Sequence, residues 1–168
     1  ESESESESND TAMVAGETVD LPINLHAQGR WLPSTDEFMG GKSTVQFERI
    51  GDADRLVVSG RLNPGFAFPY AGVMWNPGEE MMTAVNMSRA ETLELQLDAE
   101  QGGYQVMLFS GEDAMSPPVR VDLLPGARTI IDLTDYSGLD RSRLRAIGIY
   151  AISGESDVQF TIREARLQ

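Results

Sequence analysis

Cysteine is absent from the 168-residue chain. That excludes disulfides, thiol catalysis and cysteine-ligated metal centres. Histidine occurs once, as His26 in LPINLHAQG. A Ser-His-Asp triad would have to use it, and no GxSxG elbow accompanies it. A zinc site needs more ligands than one imidazole. His26 is therefore read as a turn or surface residue. No apolar run reaches the roughly 18 residues of a membrane-spanning helix, and no membrane span is predicted. Basic residues are scarce, 13 against 27 acids, for a formal charge of −14. Phosphate backbones repel such a surface, which excludes nucleic acid as a partner. The charge is read as a solubility device suited to a salty habitat.

Apolar residues make up 40% of the chain, enough for a core. Residues 1–8 read ESESESES, four like charges at alternate positions with nothing to bury. Such a segment is expected to be extended and disordered. Residues 1–15 are read as a Glu/Ser-rich tether and 16–168 as one domain, with an upstream domain or anchor expected. Tethers of this kind suit an exported bacterial protein, in the periplasm or cell envelope.

From Val45 the apolar pattern has period two. TVQFERI, RLVVSGRL, YAGVMWN, TLELQLD, YQVMLFS, VRVDLL, RTIIDL, AIGIYAI and VQFTIREARL read as strands. In TLELQLD, Leu93, Leu95 and Leu97 face one way and Thr92, Glu94 and Gln96 the other. The separators NPG, EQGG, LPGA and SGES supply proline or glycine for turns. About nine short strands without a sustained helical period predict an antiparallel β-sandwich or jelly roll. DYSGLDRSRLR and VNMSRA allow a helical turn or two, the first with Thr134 as a cap.

FMGGKSTV, residues 38–45, ends like a phosphate loop. The first glycine of GxxxxGK[ST] would fall on Asp36, and a strand follows where a helix is required. Gly40-Gly41 is read instead as a sharp turn into the sheet. Asp36 either caps backbone N–H groups of that turn or joins Lys42 in a ligand site. The strand-end carboxylates Asp36, Asp98, Glu100, Asp132 and Asp135 could in principle form a glycosidase pair across a cleft. With 27 acids, chance pairs carry little weight, and no catalytic residue is assigned. No cofactor is implied beyond a structural calcium ion held by loop oxygens.

Aromatic residues carry more information. Trp31, Phe66, Phe68, Tyr70 and Trp75 gather in the first half, four of them within NPGFAFPYAGVMWNPG. They fit either a core or a surface on which sugar rings stack, with polar groups fixing hydroxyls. Met39, Met81 and Met82 add adaptable apolar contact.

WLPSTDEFMGGKSTVQF, LVVSGRL, FPYAGVMWNPG, YQVMLFS and AIGIYAISGESDVQFTIREARL together resemble the complex I intermediate-associated protein family, over roughly residues 21–167. Trp31, Asp36, Met39, Gly40, Gly41 and Ser43 carry the most specific part. DAEQGGYQV replaces the Gly-Asp-Gly and tyrosine strand usual in that family. The resemblance points to the bacterial branch that occurs as an appended domain. It implies a galactose-binding-like jelly roll with an accessory role. The expected function is a non-catalytic module binding a glycan or a partner domain through Trp31, Asp36, Lys42, Tyr70 and Trp75. The alternative is an assembly or scaffolding factor that docks a protein on one sandwich face.

Overall fold

The computed structural model describes residues 20–50, 55–63, 69–99, 103–153 and 157–168. The tether assigned to residues 1–15 lies outside them, as do Phe66, Phe68 and Glu100. The described strands are β1 (Ile23–Asn24), β2 (Arg30–Thr35), β3 (Thr44–Ile50), β4 (Arg55–Arg61), β5 (Ala71–Asn76), β6 (Thr92–Asp98), β7 (Gly103–Ser110), β8 (Val119–Leu123), β9 (Arg128–Asp132), β10 (Leu144–Ser153) and β11 (Asp157–Leu167). One sheet runs β3-β4-β11-β6-β9, with β1 also paired to β11. The other runs β2-β5-β10-β7-β8. All described pairings are antiparallel. The expected β-sandwich is the observed fold.

The alternation read in the sequence sets the inner faces. Leu93, Leu95 and Leu97 are buried, while Thr92, Glu94 and Gln96 are only partly so. From the other sheet, Val73, Trp75, Val106, Leu108, Ile147 and Ile149 enter the same core cluster. Burial of this apolar surface drives the two sheets together.

Two strands escaped the sequence reading. β1 has only two residues. β2, RWLPST, contains Pro33, which removes a ladder donor and argues against a central strand. It lies at the edge of its sheet, where proline is tolerated. The helical stretches reduce to 3-10 turns at Leu133–Asp135 and Arg141–Arg143. VNMSRA forms no helix. Thr134 does not cap the first turn; Asp132 does, accepting from the Thr134 N–H at 2.9 Å. Among the described residues no helix is long and apolar enough to cross a membrane.

Candidate functional site

The turn that ends β2 organises one end of the molecule. Thr35 caps a 3-10 turn, Asp36–Met39, and Gly40 closes it at φ +97°, the left-handed region that favours glycine. Gly41 follows with no room for a side chain: a Cβ there would lie 2.3 Å from Asp36 Oδ1. Gly41 thus leaves the space in which the Asp36 carboxylate sits.

Asp36 is fully buried. Its Oδ1 accepts from the Ser43 N–H at 3.0 Å. Its Oδ2 accepts from the Ser43 hydroxyl at 2.8 Å and from the Tyr70 N–H at 3.0 Å. Ser43 Oγ in turn accepts from the Asn63 N–H at 3.0 Å. The Asp36 N–H donates to the Tyr70 carbonyl at 3.1 Å. One carboxylate therefore ties the end of β2 to the start of β3 and to the segment leading into β5. It satisfies donors that burial would otherwise leave unpaired. Lys42, one residue from Ser43, is exposed. Asp36 and Tyr70 are brought together, and Asp36 acts as the capping group rather than as a solvent-facing ligand.

The tryptophans occupy a different place from the one a stacking platform needs. Trp31 and Trp75 are register partners across β2 and β5, 5% and 0% exposed. The Trp75 indole donates to the Gln28 carbonyl at 2.7 Å, and the Trp31 indole to the Leu25 carbonyl at 3.0 Å. Both rings belong to the core and pin the turn before β2, so neither offers a face to a sugar.

Tyr70 has the opposite phase. Ala71, Val73 and Trp75 point inward along β5, and the register places Ser34, Gly72, Tyr150, Gln105 and Asp122 in one row of the outer face. Leu32, Met74, Gly148, Met107 and Arg120 form the next row. Tyr150 lies back over Gly148, where a Cβ would meet its ring at 2.3 Å. Its hydroxyl and that of Ser34 are hydrogen-bonded at 2.9 Å. Tyr70 meets the Tyr150 ring edge-on, with centroids 5.0 Å apart. Tyr150 is buried, while Tyr70 is half-buried and keeps part of its surface in solvent. Beyond them, the Gln105 amide donates to Asp122 at 3.1 Å, and Arg120 is exposed.

This face was missed because Gly148 and Tyr150 sit on the polar phase of AIGIYAI, a string with no polar residue to mark it. The signal that could have found it is VRVDL, where Arg120 and Asp122 alternate with inward valines.

Burial pushes the Tyr70 phenol above its ordinary 10.0, and the Asp36 carboxylate adds to the rise while the Arg120 guanidinium opposes it. Tyr150 is raised far more, by burial foremost, against the lowering effect of its Ser34 hydrogen bond. Burial also raises Tyr104, which packs edge-on against Phe160 in the core. The folded protein thus holds phenol protons that the unfolded chain releases near pH 10.0. The tyrosine contribution to stability is fully present below that pH and is lost as pH rises above it. Urea midpoints are expected to be level from pH 8 to about 9.5 and to fall steadily beyond about 10, with tyrosinate absorbance at 295 nm lagging the unfolded control.

Two loops frame the other end of the face. Arg145 donates to the carbonyls of Gly111 at 2.9 Å, Met82 at 2.8 Å and Glu112 at 2.7 Å. Met82 is held at φ +65°, with its N–H on the Asn76 side-chain oxygen at 2.9 Å. That backbone conformation is costly for a non-glycine residue and persists because both sides are tied. Met81 and Met115, on the two loops Arg145 joins, are 60% and 76% exposed. Arg145→Ala is expected to cost about 2 kcal/mol in urea unfolding. Arg145→Lys should recover less than half of this, because an ammonium cannot span three carbonyls as a planar fork does.

The carboxylates considered for hydrolysis have other partners. Asp36 is the buried cap, Asp98 pairs with Arg163 at 2.8 Å, and Asp132 caps its turn. Hydrogen bonds from Thr134 hold the Asp132 carboxyl below its ordinary value. Asp135 is exposed. Among the described residues no three histidine or carboxylate side chains are grouped to hold a metal ion.

No protein-family model and no curated protein matches the chain. Solved structures do share its fold. The family 11 carbohydrate-binding module of the cellulosomal cellulase Lic26A-Cel5E of Clostridium thermocellum superposes with a TM-score of 0.53 at 12% identity, over 86% of this chain and 87% of that one. A Clostridium thermocellum family 11 module in complex with a β-1,3-1,4-mixed-linked tetrasaccharide gives 0.53 at 12%, over 82% and 87%. The solution structure of CtCBM11 gives 0.54 at 13%, over 94% and 97%.

Proposed function

We propose that the chain is a non-catalytic glycan-binding module. A neutral β-glucan strand lies across the outer face of the five-stranded sheet. Tyr70 supplies the ring on which a sugar face stacks. Gln105, Arg120 and Asp122 orient its hydroxyls, and Ser34 and Tyr150 hold the floor. The observation that carries this reading is the half-buried Tyr70 ring. It is fixed edge-on against Tyr150 and backed by the Asp36 latch, at the border of a face that also bears polar side chains. Preorganised apolar surface with a few placed polar groups is what small-ligand recognition needs. The shared fold supports the choice of ligand class, since one structure of that fold was solved with a mixed-linked tetrasaccharide. The partners assigned to Asp36, Asp98 and Asp132 support the absence of catalysis. The resemblance to the complex I intermediate-associated family is compatible with an accessory role, and its Asp36–Gly41–Ser43 element is the latch that sets Tyr70 in place. An exported setting follows from a polysaccharide ligand.

The exposed Met81 and Met115 favour a second reading, in which a protein partner docks on the loop rim. Affinity gels cast with mixed-linkage β-glucan, xylan or no polysaccharide separate the two. Retardation by β-glucan is expected for the wild type, with at least a tenfold loss for Tyr70→Ala and no change for Met81→Ser/Met115→Ser. No retardation in any gel would sink the glycan reading.

A further inference from the structure

The other sheet carries a cavity that the proposed glycan face does not use. β11 has a bulge between Ile162 and Glu164. Before the bulge β11 pairs with β4, and beyond it with β1. β4 and β1 therefore lie on the same side of β11 and leave a gap between them. A cavity of about 420 Å³ fills that gap, with Asn24, His26, Arg55, Gln96, Arg163 and Arg166 in its walls. Its size falls in the range of roughly 300–1,000 Å³ typical of small-molecule sites.

Its charge is opposite to that of the chain. Among the described residues, three lining guanidiniums face one lining carboxylate, Glu164, in a protein of formal charge −14. The arginines are not equally engaged. Arg163 is closely paired with Asp98 at 2.8 Å. Glu164 is taken by Arg128 at 3.0 Å. Arg166 reaches carboxylates only at 3.8 Å, on Glu94, and 4.0 Å, on Glu164. Arg55 is exposed and has no carboxylate partner among the described residues. The His26 Nε2 is 3.0 Å from the Arg163 carbonyl and must donate to it, so the ring is part of the wall. The remaining lining amides, Asn24 and Gln96, can address hydroxyl groups.

We propose that this cavity is a second binding site, for a sugar acid. The Arg55 and Arg166 forks take the planar carboxylate, and Asn24 and Gln96 take ring hydroxyls. Among the described residues no aromatic ring other than His26 lines the cavity, so recognition is polar and charge-led. This site stands or falls independently of the Tyr70 face.

The test is a ¹H–¹⁵N NMR titration of the full chain with sodium glucuronate, glucose, acetate or sulfate at constant ionic strength. Glucuronate is expected to give saturable shifts at Asn24, Gln96 and Arg166, and glucose none there. Acetate and sulfate should bind at least fivefold more weakly, because they lack the hydroxyls. Arg55→Gln/Arg166→Gln should weaken glucuronate binding at least tenfold, and Tyr70→Ala should leave it unchanged. Gln96→Ala keeps every charge and guards against a misfolded double variant; a loss of threefold or more is expected. Equal binding of sulfate or acetate would mean an adventitious ion only and would overturn the proposal. So would an absence of saturable glucuronate shifts, or wild-type affinity in the arginine variant.

Discussion

Trp75→Ala is expected to lower the unfolding free energy by about 4 kcal/mol, within the range for removing a large buried aromatic ring. Trp75 is fully buried at the centre of the inner face, beside Trp31 on β2 and Ile147 on β10. Truncation opens a cavity that β5 and β10 cannot readily close, because each is held by ladders on both sides. It also removes the 2.7 Å hydrogen bond to the Gln28 carbonyl. Trp75→Phe separates the two effects: it keeps most of the volume and loses the donor, and about 2 kcal/mol is expected. Urea unfolding followed by circular dichroism measures both. A loss below about 1 kcal/mol for Trp75→Ala would mean that the ring is not in the core.

Asp36→Ala is expected to cost about 3 kcal/mol, since it strips the acceptor from three buried or partly buried donors. The Ser43 N–H, the Ser43 hydroxyl and the Tyr70 N–H all converge on this one carboxylate. Asp36→Asn is the sharper experiment. A carboxylate accepts at both oxygens; an amide presents an NH₂ group at one of them. Both orientations of the amide set that NH₂ against at least one donor, so Asn should lose at least half as much as Ala. Either variant also frees Tyr70 from its anchor, and glucan affinity should fall with stability. A fully stable Asp36→Asn protein would show that the latch does not exist as described.

The fold was legible because the strands alternate. TLELQLD names its buried face without help from the rest of the chain. Where alternation is masked, the reading fails. β2 was lost to Pro33, and the outer phase of β10 to the glycine and tyrosine that replace polar residues there. The structural role of Asp36 was legible from the chemistry of DEFMGGKS, which joins an Asx residue to a glycine pair. The sequence left Trp31 and Trp75 open between core and ligand contact for a general reason. Composition can say that a segment is aromatic, but only register says which side of the sheet a ring takes, and a shift of one residue reverses the answer. Tyr70 and Trp75 are five residues apart, an odd spacing, and they end on opposite faces. Arg145 could not be foreseen, because its partners are carbonyls on two loops far away in sequence.

The most direct measurement is a ¹H–¹⁵N NMR titration of the full chain with a mixed-linked β-glucan tetrasaccharide. Saturable shifts are expected at Leu32, Ser34, Tyr70, Met74, Gln105, Arg120 and Asp122, the outer face of the five-stranded sheet, with β4, β6 and β11 unmoved. Shifts confined to the six-stranded sheet, or none at millimolar ligand, would contradict the assignment of that face as the glycan-binding surface.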